Sequence, residues 1–134
     1  MPVFDTKTGL PVALAQGWNE GNSLAVVCLC AAWCDTCGAF RESLERIAAA
    51  RPREVFVWLD IEDDSAICGD IDIENFPTLA VYRGEELLHY GVSLPQEGTV
   101  GRLIDELATR SAALRDAPKA VLDLPRAIAS AAAG

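Results

Sequence analysis

Hydrophobic positions fall into blocks whose period changes along the chain. Residues 24–32, LAVVCLCAA, are a near-continuous apolar run without alternation. That is the pattern of a central strand in a parallel or mixed sheet, covered by helices on both faces. From Asp35 the period lengthens: Phe40, Leu44 and Ile47 recur at helical spacing, Arg41, Glu42, Glu45 and Arg46 are left for solvent, and Pro52 closes the segment. Residues 54–61, EVFVWLDI, are branched and aromatic and read as a second strand. The acidic stretch EDDSAICGDIDIEN after it reads as a loop with a short helix. FPTLAVYRG (76–84) and EELLHYGV (85–92) read as a hairpin turning at Gly84. Val100, Leu103, Ile104, Leu107, Ser111 and Leu114 mark one face of a further helix, with Ser93 or Thr99 as candidate caps.

The order β–α–β–α–β–β–α, with a strand feeding directly into a helix, predicts an α/β fold. An edge strand near Val3 and Phe4 and a short helix around Pro11–Gln16 are expected to precede it. Residues 116–134, DAPKAVLDLPRAIASAAAG, are alanine-rich and interrupted by Pro118 and Pro125. They read as an appended short helix or a frayed tail. The predicted organisation is one domain over residues 1–115, followed by this extension over 116–134.

Composition narrows the function. A chain of 134 residues, about half apolar, can bury a core without cross-links. Its formal net charge of −9 argues against nucleic-acid binding, which needs clustered Lys and Arg, and against an anionic membrane surface. The first residues, MPVFDTKTGLPVALAQGW, lack the charged start and apolar core of a signal peptide. No apolar run approaches the length of a membrane span. The cytoplasm, where thiols are kept reduced, is the expected compartment.

Four of the five cysteines fall between Cys28 and Cys37. An odd count is awkward for a disulfide scaffold. A thiolate metal site from Cys28, Cys30, Cys34 and Cys37 is disfavoured, because Cys28 and Cys30 point to one buried strand face and only one C-x-x-C is present. Redox chemistry suits the layout better. Cys34 stands where strand passes into helix, so unpaired N–H groups and the helix dipole favour a thiolate there. Cys37 follows at i+3, on the same helix face and within reach of the Cys34 sulfur. Cys34 then attacks a substrate disulfide and Cys37 resolves the mixed disulfide. The bland alternative is a pair of buried structural cysteines. Cys68 reads as a bystander, open to modification if exposed, and His89, the single histidine, as solvated on an edge strand.

With these residues in view, the chain resembles the thioredoxin family. AAWCDTC is similar to its W-C-x-x-C site and FPT to its cis-proline signature, with 39 positions from Cys37 to Phe76. Gly91 is similar to the family glycine that lets backbone approach the dithiol. The resemblance covers about residues 20–112 and implies a thioredoxin-like fold, a central mixed β-sheet flanked by helices. It also implies roles. Cys34 is the exposed nucleophile, Cys37 the buried resolving thiol, and Trp33 part of the apolar surface around them. Pro77 is cis and faces the dithiol, and the Phe76 backbone binds an extended substrate segment.

Departures from the family pattern are informative. Asp35 and Thr36 replace the Gly-Pro of a typical thioredoxin; Asp35 sets a like charge beside a Cys34 thiolate, and Thr36 removes a rigid residue from the first turn. Cys28 matches the family's buried Asp beneath the site, Trp58 matches its accompanying Lys, and Cys30 matches a position usually aromatic. The usual proton acceptor for the resolving thiol is therefore absent. The expected activity is thiol–disulfide exchange with protein disulfide or dithiol substrates, served by a reductase or dithiol partner. It takes part in electron transport and cell redox homeostasis, and needs no cofactor or metal. The rival from another class is a thioredoxin-fold chaperone or assembly module that binds through the Pro77 surface.

Overall fold

The apolar run at 24–30 becomes the strand around which the other elements are arranged. The computed structural model describes residues 3–6, 24–31, 33–71, 73, 77–84, 86–109 and 113–133. Their elements are β1 (Leu24–Cys30), α1 (Asp35–Ala49), β2 (Val55–Asp60), α2 (Ser65–Cys68), β3 (Thr78–Arg83), β4 (Glu86–Val92), α3 (Glu97–Ala108), α4 (Lys119–Leu122) and α5 (Leu124–Ala133). The sheet order is β2-β1-β3-β4, with β1 parallel to β2 and antiparallel to β3, and β4 antiparallel to β3. Every residue of β1 is buried, as an unalternating apolar strand requires. This is the mixed α/β architecture that the resemblance implied.

The two faces of the sheet carry separate cores. On one, Val26, Cys28, Cys30, Phe56, Leu79 and Val81 meet the inward face of α1 (Cys37, Phe40, Leu44, Ile47) and of α3 (Val100, Ile104, Leu107). Each such aliphatic or aromatic side chain contributes about 1.5–3 kcal/mol when fully buried. Arg51, just past α1, fixes these two helices together. Its Nε and Nη2 donate to Asp105 Oδ1 and Oδ2, both at 2.9 Å, and Nη2 donates to the Gly101 carbonyl at 3.3 Å. A Cβ at position 101 would stand 2.9 Å from that Nη2, so glycine permits the approach.

The second face buries Ala25, Val27, Leu29, Ala80, Tyr82 and Leu87 against Cys68 of α2 and against Val121, Leu124 and Ile128 of the C-terminal helices. The Tyr82 hydroxyl donates to the Val121 carbonyl at 2.6 Å. Of the two readings offered for residues 116–134, packed helix is the one found. The prolines that suggested fraying sit at helix starts: Pro118 is the N-cap of α4, and Pro125 lies in the first turn of α5, where no intrahelical N–H is lost.

Other differences from the sequence reading are local. Phe4 joins the sheet only as an isolated parallel bridge to Val57, its N–H donating to the Phe56 carbonyl at 2.9 Å and its carbonyl accepting from Trp58 N–H at 2.8 Å. The N-cap of α3 is Gln96 rather than Ser93 or Thr99, and it makes no side-chain cap hydrogen bond; Thr99 lies inside the helix. The hairpin turns at Gly84 as expected, with a positive φ of 64° that suits glycine. The helix expected at Pro11–Gln16, and Ser111, lie outside the described residues. No helix among the described residues is long and apolar enough to cross a membrane.

Candidate active site

Alternation along β1 places Cys28 and Cys30 on the α1 side of the sheet. The chain then turns and enters α1, a 15-residue helix whose N-cap is Cys34. Cys34 N–H donates to the Ala31 carbonyl at 3.0 Å, and the Cys34 carbonyl accepts from Gly38 N–H at 3.2 Å. Its thiol is free and half-buried, and no side chain caps the helix. The first N–H groups of α1 lack intrahelical partners, and a helix N-terminus favours an anion. Asp35 and Thr36 follow, both exposed.

Cys37, one turn in, faces the sheet and is 1% exposed. Here the structure differs from the expected pairing. Cys37 is bonded to Cys30, not to Cys34, and the two Cα atoms are 5.9 Å apart. The separation lies in the ordinary disulfide range. The reason is geometric: Cys30 ends β1 on the face that α1 covers, and Cys37 is the first α1 residue turned toward that face. Cys28 lies alongside, its Sγ 3.8 Å from that of Cys30. Burial raises the Cys28 thiol far above its usual range, with the Arg41 charge opposing weakly, so Cys28 stays protonated.

Trp33 is 67% exposed beside Cys34, with its indole N–H donating to Glu62 Oε1. Trp58 pairs with Cys28 in the β1–β2 register, and the Arg41 guanidinium lies 5.1 Å from its ring centroid. Arg41 also donates to Asp5 Oδ2 at 3.2 Å and to the Val3 carbonyl at 3.3 Å. Pro77 is buried immediately before β3, its carbonyl accepting from Ser93 N–H at 3.0 Å. Phe76, and with it the Phe76–Pro77 bond, lies outside the described residues. Gly91 stands opposite Leu79. Among the described residues a Cβ there would meet only His89 Nε2, at 3.9 Å, and none of the cysteines.

A cavity of about 190 Å³ reaches Cys37 between α1 and the ends of β1 and β2; Asp5, Asp60, Asp63, Asp64, Arg41 and Trp58 line it. This acidic rim was not visible as part of the site in the sequence, where the stretch 62–75 read as a loop with a short helix. Backbone turns hold it. Asp60 Oδ1 accepts from the Glu62 and Asp63 N–H groups, both at 2.8 Å, and Asp64 Oδ2 accepts from Asp60 N–H at 2.8 Å. The one sequence signal was the position of Asp60 near the end of the second strand segment; the structure sets it opposite Cys30.

Two further readings change. Cys68, read as a bystander open to modification if exposed, is buried, and its thiol is pushed up to about 12, by burial first and then by Asp64 and Asp60. It is no surface modification site. His89 is half-buried rather than solvated; Nε2 has no hydrogen-bond partner among the described residues, and burial lowers its pKa below the usual 6.5.

A strand–turn–helix with a free cysteine at the helix N-cap, an inward-facing cysteine in the first turn and a mixed sheet define an α/β protein of the thiol–disulfide exchange class. A thioredoxin family model matches residues 13–102. Thioredoxin from Ophiophagus hannah is 28% identical over 71 residues, covering 53% of this chain and 68% of that protein. An H-type thioredoxin from Brassica campestris is 26% identical over 96 residues, covering 66% and 78% respectively. In fold, a mutant thioredoxin from Halobacterium salinarum superposes with a TM-score of 0.62 at 18% identity, covering 83% of this chain and 94% of its own. A thioredoxin from Nicotiana alata gives 0.60 at 18% identity, covering 71% and 81%. The chain belongs to the thioredoxin family.

Proposed function

We propose that the protein is a thiol–disulfide oxidoreductase acting on protein disulfides, with Cys34 as nucleophile and Cys37 as resolving thiol. The observation that carries this is the contrast between two cysteines one helical turn apart. Cys34 is free and only half-buried at the N-cap of a long helix, whereas Cys37 is buried in the first turn of that helix. A thiolate is the attacking species, and a helix N-terminus favours it. Cys34 attacks the substrate disulfide; Cys37 then attacks Cys34 Sγ and releases the second substrate thiol. The cavity at Cys37 leaves water, with Asp60 and Asp64 on its lining, as the outlet for the Cys37 proton, a less direct acceptor than a carboxylate at position 28 would be.

On this reading Trp33, the Phe76 backbone, Pro77 and Gly91 hold the substrate segment, and Asp35, Thr36, Cys28 and Trp58 tune the pair. Residues 1–115 carry the chemistry, and 116–134 complete the second face of the sheet. The working compartment is the cytoplasm, where a reductase or dithiol partner regenerates the reduced form as part of redox homeostasis.

A second reading rests on the exposed side chains of Trp33, Val92 and Leu94. Val92 and Ser93 flank Pro77, through the Thr78–Val92 pairing and the Ser93–Pro77 hydrogen bond, so apolar surface collects at that edge. Such a surface also suits a chaperone or assembly module with little turnover. Reduction of a protein disulfide by purified protein, recycled with a small dithiol, separates the two. Turnover abolished by Cys34→Ser supports the oxidoreductase; equal, marginal rates for wild type and variant support the binding module.

A further inference from the structure

We infer that Cys30 is a second, internal resolving thiol, which takes Cys37 over from a Cys34–Cys37 disulfide and returns Cys34 to the free state. This deepens the proposed function and rests on it. Three observations combine. Cys37 is bonded to Cys30 while Cys34 is free. Cys30 and Cys37 are both buried on the same side of the sheet, one ending β1 and the other in the first turn of α1. Cys28 Sγ lies 3.8 Å from Cys30 Sγ, close enough for its S–H to donate to a sulfur that becomes anionic.

The step balances without any added oxidant. After substrate release the pair is Cys34–Cys37 and Cys30 is a thiol. Cys30 loses its proton and its sulfur attacks Cys37 Sγ; a Cys30–Cys37 bond forms and the Cys34–Cys37 bond breaks. Cys34 leaves with the bonding electron pair and accepts the proton. The chain remains oxidised by two electrons throughout; only the location of the disulfide changes.

The direction follows from solvation. A disulfide is uncharged and loses little on burial, whereas a thiolate is stripped of its hydration in a dry core. With the disulfide inward and the free sulfur at the helix N-terminus, the uncharged group takes the dry core and the ionisable one the place where a charge is better stabilised. The rate follows from the same argument. Cys30 must ionise in apolar surroundings, so the transfer is slower than exchange at Cys34 and speeds up with rising pH. The Cys28 thiol, held protonated by burial, offers a polar contact that eases it.

The test is time-resolved disulfide mapping of the full chain. Reduced protein is mixed with a protein disulfide substrate, quenched at intervals with an alkylating agent, digested and analysed by mass spectrometry. Expected is early Cys34–Cys37 linkage that converts to Cys30–Cys37, with Cys34 becoming alkylated in the oxidised end state. In Cys30→Ser and Cys30→Ala, the Cys34–Cys37 bond persists and Cys34 stays protected. In Cys34→Ser, Cys30–Cys37 does not form from the substrate. An oxidised wild type that remains Cys34–Cys37 at every time point overturns the transfer while leaving the proposed function intact. Formation of Cys30–Cys37 in Cys34→Ser at the wild-type rate also overturns it, since the bond then arises without the hand-off. Absence of any substrate-driven disulfide, with no turnover, overturns both.

Discussion

Tyr82→Phe removes one oxygen from the centre of the molecule, and its expected effect can be worked out closely. The Tyr82 side chain is fully buried on the second face of the sheet, and its hydroxyl donates to the Val121 carbonyl at 2.6 Å. Burial, and secondarily Tyr90, holds the phenol far above its ordinary pKa, so the donor stays protonated over any usual working pH. Removing the hydroxyl forfeits one buried hydrogen bond, with a net worth of about 1–1.5 kcal/mol. The Val121 carbonyl keeps the Asp123 N–H nearby, which holds the loss toward the lower end. For a chain of this size that is a fall of about 3–5 °C in Tm. Urea unfolding followed by circular dichroism should show a lower midpoint at unchanged m, because the buried area hardly changes. Ile128→Ala, on the same contact, should cost more, about 2–5 kcal/mol, through lost burial and a cavity. If Tyr82→Phe and Ile128→Ala both leave the midpoint unmoved, residues 116–134 do not cover the sheet and the second core is wrongly drawn.

Further outcomes concern the site. Asp35→Asn should speed alkylation of Cys34 at neutral pH by removing a like charge; contact charges in water interact by about 1 kcal/mol, so the gain is capped at about five-fold. A slower reaction would show that the carboxylate helps the helix start more than it opposes the thiolate. Cys28→Asp should accelerate resolution of the mixed disulfide near neutral pH while lowering stability by a few kcal/mol for the buried carboxylate, read by stopped flow and denaturation; a folded variant that resolves no faster would remove the argument that a base is missing. Burial depresses His89 below 6.5, so the unfolded chain takes up its proton first. Stability is then full above about pH 6.5 and falls as pH drops below it. His89→Leu should flatten that slope between about pH 7 and pH 5, and an identical slope would count against the buried neutral ring.

Much of the fold was legible because its elements carry strong local patterns. The unalternating run at 24–30, the helical spacing of Phe40, Leu44 and Ile47, and the glycine turn at Gly84 all fix their elements from short-range information. The C-terminal segment was less legible because a proline that breaks a helix interior reads the same as one that starts a helix. Only the packing of Val121, Leu124 and Ile128 on the sheet decides between them. The burial of Cys68 was not legible for the same reason: its acidic neighbours are visible in sequence, whereas the tail helix that packs on α2 comes from about sixty residues away.

At the site, the placement of Cys34 and Cys37 on α1 was readable from i, i+3 spacing. The Cys30–Cys37 bond was not, since it depends on how β1 and α1 pack rather than on spacing within either. The carboxylates of the cavity were hidden likewise, because Asp5 reaches Asp60 and Asp64 only through the edge pairing of Phe4 with β2.

The most direct measurement is capture of the mixed disulfide. Cys37→Ser removes the resolving thiol, so incubation with a protein disulfide substrate should accumulate a covalent adduct, and peptide mapping should place it at Cys34. The adduct should dissolve on addition of a small dithiol and be absent from the Cys34→Ser, Cys37→Ser double variant. No adduct, or one that forms at Cys30 or Cys68 with Cys34 left as a thiol, would contradict Cys34 as the attacking group.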